Sequence, residues 1–399
     1  MVRHTSLFSQ LISMFYRNEF YRLVMKHKAE SYAKGFHSWD HFVAMLFCQL
    51  AQAKSLREIC GGLACCLGKL RHLGMKAAPN KSTLSYANAH RPWQMFQDLF
   101  YETLHTCKQA VPGRHKFRFK NKLLSLDSTT ISLCLSLFPW AKFRRTKGAI
   151  KLHLLLDHDG YLPTYVYISN GKQHDVTQAR KLLLSPGSIV TMDRGYNDYT
   201  LFSMWDEAGI FFVTRLKDNA DFIVLEELDI PSNRNILSDQ LIRFSGYQAQ
   251  NHCPHILRRI VVWDKENERE IVLLTNHMDF GATTISAIYK DRWQIELFFK
   301  ALKQNLKVKT FVGTSENALY IQIWTALIAM LLIKYLQFQS KLDWSLSNLV
   351  AFLRWNLFTY RDLWEWINNP FDVLPLGAEP VQYHLPLPCL GQHNQLGTT

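Results

Sequence analysis

Between residues 123 and 215 the chain sets short apolar runs in one fixed order, and that order leaves few architectures open. Leu123-Leu-Ser-Leu-Asp127-Ser-Thr-Thr-Ile131 and the runs 150–156 and 162–168 are β-prone, the last two joined by the turn signal Asp157-His-Asp-Gly160. A helical stretch over 176–184 follows, then a strand over 188–193, a turn at Gly195-Tyr196, a helix over 199–208 and a strand over 210–215. Three strands followed by helix, strand, helix and strand predict a mixed α/β sheet.

That order is the ribonuclease H-like one, in which the first and fourth strands lie side by side. Asp127 sits in the first strand and Asp193 ends the fourth, so the two acids can meet across the sheet. An acid inside an apolar strand is costly to bury, which favours a functional over a structural reading of both. A third acid lies in Tyr289-Lys-Asp-Arg292-Trp-Gln-Ile-Glu296-Leu-Phe-Phe-Lys-Ala-Leu-Lys303, a segment without Gly or Pro that reads as one helix, with Thr283 and Thr284 placed to cap its start. At roughly 100° per residue, Tyr289, Arg292, Glu296 and Lys303 fall within about 60° on one face. Leu297, Phe298, Ala301 and Leu302 supply an apolar flank.

Two readings fit that face: a metal-binding carboxylate whose neighbours grip phosphates, or an amphipathic helix carrying an Arg292–Glu296 salt bridge. Asp127 and Asp193 give Glu296 two partners and tilt the choice to the first, with Arg292 as a phosphate clamp rather than the mate of Glu296. Three such carboxylates would bind two Mg²⁺ or Mn²⁺ ions roughly 3.5–4 Å apart, one activating a water or a 3′-hydroxyl and the other stabilising the leaving oxygen of a phosphodiester. Asp157 and Asp159 in a turn, Asp175 in a loop and Asp198 at a helix start read as structural.

Around this core, residues 1 to about 110 read as all-helical, with Ser55-Leu-Arg-Glu58 as a capping box and Ser82 as an N-cap. A helix opening with Lys81-Ser82-Thr83 after a Gly-containing turn suits either a helix-turn-helix-like DNA module or a plain helical bundle. The stretch Arg114-His115-Lys116-Phe-Arg118-Phe-Lys120-Asn-Lys122 suits a phosphate-tracking linker or edge strand, or a solvated charged edge. Strand-like pieces at 222–225, 256–263 and 270–274 read as an inserted β-domain, 315–368 returns to helix, and the Pro-rich tail after Asn369 is expected to be loosely packed. The apolar run 318–334 contains Gln322 and Thr325 and reads as a buried core helix rather than a membrane span.

A formal net charge of +13 favours a polyanionic partner, nucleic acid or an anionic membrane surface. The eight cysteines show neither metal spacing nor a disulfide framework, so buried thiols in a reducing cytoplasm are expected. No secretory h-region, internal repeat or Walker loop is visible.

The chain resembles the DDE transposases of the IS-four family of bacterial insertion sequences. The resemblance rests on Tyr289-x2-Arg292-x3-Glu296-x6-Lys303, on Leu126-Asp127-Ser-Thr, on Met192-Asp193-Arg194-Gly195-Tyr196 and on Lys147-Gly-Ala-Ile-Lys-Leu-His153, and covers roughly residues 20–340. It implies cut-and-paste transposition: hydrolysis of one strand at the transposon end, attack by the freed 3′-hydroxyl, and joining to target DNA. It assigns Asp127, Asp193 and Glu296 to catalysis and metal binding. It assigns Tyr289, Arg292 and Lys303 to phosphates, with Trp263 as a candidate base-stacking residue and Arg194 as a candidate DNA contact; Lys147, Lys151 and His153 read either as DNA contacts near the site or as strand-face residues.

The implied domains are 1–112, helical and DNA-binding; 113–216, the first part of a ribonuclease H-like core; 217–278, the β-rich insertion; 279–340, the second part of the core; and 341–399, a helical segment and tail. The implied partners are double-stranded DNA, both terminal inverted repeats and target, and a second copy in a homodimer, with no membrane, in the bacterial cytoplasm at the nucleoid. A ribonuclease H-fold nuclease or resolvase without strand transfer, and a non-catalytic DNA-binding derivative, are the alternatives.

Overall fold

The computed structural model describes residues 5–31, 33–66, 69–113, 116–144, 147–232, 234–306 and 311–371. Its frame is one mixed sheet of ten strands: β1 (Leu123–Leu133), β2 (Lys142–Arg144), β3 (Lys147–Asp157), β4 (Leu162–Asn170), β5 (Ile189–Met192), β6 (Phe211–Arg215), β7 (Phe222–Glu227), β8 (Ile236–Phe244), β9 (Leu257–Asp264) and β10 (Arg269–Thr275). Their order is β2-β3-β1-β5-β6-β10-β9-β8-β7, with β4 also paired to β3. β1, β3 and β4 run antiparallel, whereas β5 lies parallel to β1 and β6 parallel to β5. The β5–β6 crossover passes through the helix Tyr199–Glu207, as a parallel pair requires. The molecule is therefore a ribonuclease H-like α/β core, and β1 and the strand ending at Asp193 are neighbours.

Local chemistry explains the pieces. Asp157 stabilises its own turn by accepting from the Asp159 N–H at 3.1 Å. Gly160 takes φ of +77°, where a Cβ would also lie 2.9 Å from Val111 and 3.0 Å from Phe338. The core helix Glu316–Gln339 is capped by Ser315, and 83% of its most apolar stretch is buried inside the protein. Its polar residues are satisfied: Gln322 Oε1 accepts from Val312 N, and Thr325 Oγ1 donates to the Ile321 carbonyl. The N-terminal helices Ser38–Leu50 and Gln94–Gln109, the core helix and the inner face of β1, β3 and β4 share one apolar core.

Several expectations change. The strands at 217–278 continue the core sheet, because β10 pairs antiparallel with β6, and they include β8, which was not anticipated. The segment at 289–303 is two helices, Ala282–Asp291 and Trp293–Asn305, and the first begins after Gly281 rather than from a threonine cap. At the junction the backbone tightens, Arg292 N donating to Tyr289 O and Ile295 N to Arg292 O, both at 3.1 Å. No Pro or Gly causes the break; it falls where the Asp291 side chain is drawn into the interior.

The helix over Lys81–His90 is capped by Asn80, whose Oδ1 accepts from Thr83 N and from Ser82 Oγ, so Ser82 is not the N-cap. At the preceding box, Ser55 accepts from Glu58 N, but Glu58 returns to Lys54 N. The helix expected over 176–184 is the single turn Asp175–Ala179. Residues 116–122 form no strand. Phe117 stacks on Phe119 and Phe119 on Phe280, while Lys116 and Lys122 pair with Asp291 and Asp157.

Cys48, Cys66, Cys107 and Cys253 are buried, Cys65 and Cys134 are exposed, and no disulfide joins the described cysteines. The Pro-rich tail from residue 372, including Cys389, lies outside the described residues, as do Arg114 and His115.

Candidate active site

Strand alternation builds the site. Leu124 and Leu126 of β1 point to the side of the Tyr199–Glu207 helix, where they pack with Val190, Met192 and Phe202. Leu123, Ser125 and Asp127 therefore face the opposite side, toward the helices at 282–305. The parallel register sets Leu123 against Ile189, Ser125 against Thr191 and Leu126 against Met192, so the next step brings Asp127 beside Asp193. Across this face, Leu123 and Ile189 pack under Ile285 and Ile288.

Asp127 and Glu296 open onto one groove of about 440 Å³, also lined by Ser128, Thr129, Lys300 and Lys303. Arg292 joins them: its Nη2 donates to Glu296 Oε1 at 2.6 Å and its Nη1 lies 3.6 Å from Asp127 Oδ2. The i,i+4 pair set aside at the sequence level is thus present, because two converging carboxylates need a counter-charge and Arg292 is one turn away. Burial pushes the Asp127 carboxyl up to about 6; the Ser128 N–H and Arg292 oppose the shift, while Glu296 and Asp193 add to it.

Among the described residues no three acid, histidine or cysteine side chains stand close enough together to hold a metal ion, and Arg292 lies between two of the three expected acids. The donor set still fits a hard divalent cation. Asp127 and Glu296 offer oxygen ligands in one groove, and Asp193 lies close enough to raise Asp127.

The surrounding residues fall into two groups. Tyr289 sits with its ring 5.7 Å from the Arg292 guanidinium; burial raises its hydroxyl, with Asp193 adding to that and Arg292 and Arg215 opposing it. Arg292 Nε is buried without an acceptor among the described residues. Lys303 Nζ donates to Thr129 Oγ1 at 2.5 Å, and Arg194, next to Asp193 in the chain, is half-exposed and 3.6 Å from Asp218.

The others stand apart. Lys147 lies seven residues from Leu154, the β3 partner of Asp127, hence roughly 20 Å along the strand. Trp263 is on β9, three strands from β5, but at the sheet end where Asp193 sits: Ile260 pairs with Leu273 and Leu273 with Arg215.

Asp175, read as a loop acid, proves to border the site. It accepts from Ser128 Oγ at 2.7 Å and from Lys151 Nζ at 3.0 Å, and His153 Nδ1 lies 3.4 Å away. The buried His153 is thereby held inside the protein, and the partly buried Lys151 is paired with Asp175. Tyr196 is buried beside Asp127, Asp175 and Asp193, which with desolvation hold its hydroxyl well above its usual range. The sequence held one cue to this cluster, the alternation Lys151-Leu-His153 on β3 opposite Ser128 and Thr130.

Comparison with known proteins gives a consistent picture. Residues 118–332 match the family described as a transposase DDE domain, and residues 3–76 match one described only as a domain of unknown function. A protein of Sinorhizobium fredii named as a transposase is 30% identical over 81% of this chain and 90% of its own length. One from Geobacillus stearothermophilus, named as an insertion-sequence transposase, is 29% identical over 68% of this chain and 72% of its own. A piggyBac transposase in a synaptic complex with hairpin DNA aligns with a TM-score of 0.45 at 12% identity, covering 88% of this chain and 80% of that one.

Proposed function

Because this chain belongs to the transposase DDE-domain family, we propose that Asp127, Asp193 and Glu296 are its catalytic acids and hold two Mg²⁺ or Mn²⁺ ions. The protein is a DNA transposase of the cut-and-paste type, an enzyme that cleaves and transfers DNA strands, and its family uses divalent metal ions. The observation that supports the residue assignment is the grouping of Asp127 and Glu296 around one groove, with Asp193 directly after the adjacent parallel strand.

Bound there, divalent ions would activate the attacking water or 3′-hydroxyl and offset charge on the leaving oxygen. The chain's own residues do the rest. Asp127 and Glu296 stay aligned through Arg292 until the guanidinium exchanges a carboxylate for a DNA phosphate, which its Nη groups can grip with the same fork. Lys303, at the groove wall, and Tyr289 hold the flanking backbone, Arg194 the rim. Trp263 is offered as a stacking surface at the same end of the sheet, and Lys147 as a contact to a more distant DNA segment.

We further propose that residues 1–112 bind terminal repeats, that 217–278 are inserted in sequence between core segments 113–216 and 279–340 as strands continuing the core sheet, with 341–399 as a C-terminal appendage, and that two copies pair the transposon ends in the bacterial cytoplasm at the nucleoid, without a membrane partner.

Supercoiled donor plasmid carrying the element's own ends, incubated with Mg²⁺, tests the assignment. Asp127→Asn and Glu296→Gln should each lower end cleavage by roughly 10³-fold, about 4 kcal/mol, with repeat binding intact. Cleavage by either variant at the wild-type rate would remove that acid from the site. Joined transposon–target products separate transposition from simple nuclease action.

A further inference from the structure

Beneath the acids lies a second, buried layer of polar groups. Thr191 Oγ1 is 2.8 Å from Ser125 Oγ, Ser125 Oγ is 2.7 Å from His158 Nε2, and His158 Nδ1 is 2.6 Å from Asp291 Oδ2. Lys116 Nζ closes the chain on Asp291 Oδ1 at 2.5 Å, and Tyr161 Oη donates to Asp291 at 3.3 Å. Ser125, Thr191 and Asp291 are 0–2% exposed. A carboxylate only accepts, so His158 donates from Nδ1 to Asp291. Thr191 Oγ1 lies within reach of both Ser125 Oγ and the Leu124 carbonyl, the latter at 3.4 Å, so the chain is also tied to the β1 backbone. The buried hydroxyls, imidazole and carboxylate thus satisfy one another, which makes the chain rigid.

The three anchors share one relation to the acids. Ser125 is two residues before Asp127 on β1, Thr191 two before Asp193 on β5, and Asp291 directly precedes Arg292 and the helix bearing Glu296. We propose that Thr191–Ser125–His158–Asp291 is a positioning relay that sets the mutual placement of the two acid-bearing strands and the acid-bearing helix, one residue layer below the groove. Asp291 also pins the point where the helix at 282–291 gives way to the helix at 293–305, and so fixes the direction in which Glu296 projects.

The inference rests on Asp127, Asp193 and Glu296 being the catalytic acids, so Asp127→Asn is run alongside. Thr191→Val keeps the side-chain shape and deletes the hydroxyl; Thr191→Ser keeps the hydroxyl; Ser125→Ala removes the central link with little volume change. Each is compared with wild type for melting temperature, affinity for an end-bearing duplex, single-turnover cleavage rate and the Mn²⁺ concentration giving half-maximal cleavage. Direct Mn²⁺ binding to the DNA-free protein is followed by electron paramagnetic resonance.

Thr191→Val and Ser125→Ala should cleave about 10- to 100-fold more slowly and bind Mn²⁺ several-fold more weakly, with duplex affinity unchanged and Thr191→Ser close to wild type. The double variant Thr191→Val/Ser125→Ala should be no slower than the worse single one, as for residues acting as a unit. Wild-type Mn²⁺ binding and cleavage in folded Ser125→Ala and Thr191→Val, with Asp127→Asn inactive, would overturn the relay alone. An active Asp127→Asn would overturn the acid assignment and the relay with it. If Ser125→Ala does not fold, Thr191→Val against Thr191→Ser decides.

Discussion

At the scale of single residues, the site is a problem in charge compensation. Arg292 reads from its spacing as either a phosphate clamp or a salt-bridge mate, and it stands 2.6 Å from Glu296 with its side chain only 12% exposed. The two roles are compatible in sequence, because a guanidinium binds carboxylate and phosphate with the same fork. His153 shows the limit of residue-type reasoning. It reads as a possible DNA contact, yet it is 1% exposed and faces Ser169 and Asp175. Burial lowers its imidazole from 6.5 to about 4, with Asp175 opposing that shift. A lowered value means the unfolded chain takes the proton first, so stability is full above about 6.5 and falls as pH drops toward 4. Between pH 7.5 and 5 that costs about 2 kcal/mol. Denaturant titrations at the two pH values should show a smaller loss in His153→Gln than in wild type; equal losses would show that His153 titrates normally.

At the scale of elements, periodicity was a sound guide where one element met one environment. The core helix Glu316–Gln339 is apolar on all sides and is buried on all sides. Leu327, fully buried at its centre, gives a direct check: Leu327→Ala should destabilise the protein by about 2–5 kcal/mol in urea unfolding. Strand β7 is the opposite case. It ends the sheet, and Ile223, Val224 and Leu225 are 43–49% exposed along an open edge. Such an edge invites pairing with other chains. Val224→Lys should slow concentration-dependent aggregation, followed by light scattering, while leaving the melting temperature within a degree or two; unchanged aggregation would place the sticky surface elsewhere. The helix break at Arg292 is the element that pattern could not reveal. Its sequence is uniformly helix-forming, and the break follows from where Asp291 finds His158 and Lys116, more than 130 and 170 residues away along the chain.

At the scale of the whole molecule, one sheet runs from β2 to β7, and the strands read as an insertion extend it through the β6–β10 pairing. A chain of net charge +13 that acts on DNA should bind its repeats with a steep salt dependence. Affinity measured by fluorescence anisotropy should fall by roughly 10³-fold or more between 50 and 200 mM salt, as for proteins with several phosphate contacts. A nearly flat response would mean that the excess positive charge lies away from the DNA.

The sequence by itself determined the order of the central strands and the buried core helix, and it singled out three acids as candidates, because each is written in local signals: alternation, apolar runs, and carboxylates placed where burial is costly. Only the tertiary structure decided what those acids lean on. The guanidinium between Asp127 and Glu296, the Asp175 cluster beside Ser128 and the relay from Thr191 to Asp291 join residues that lie far apart along the chain, with the exception of the i,i+4 pair. A hydrogen bond is specified by a position in space to within a few tenths of an ångström. Sequence periodicity fixes only which face of an element a side chain occupies, and the packing of one element on another fixes the rest.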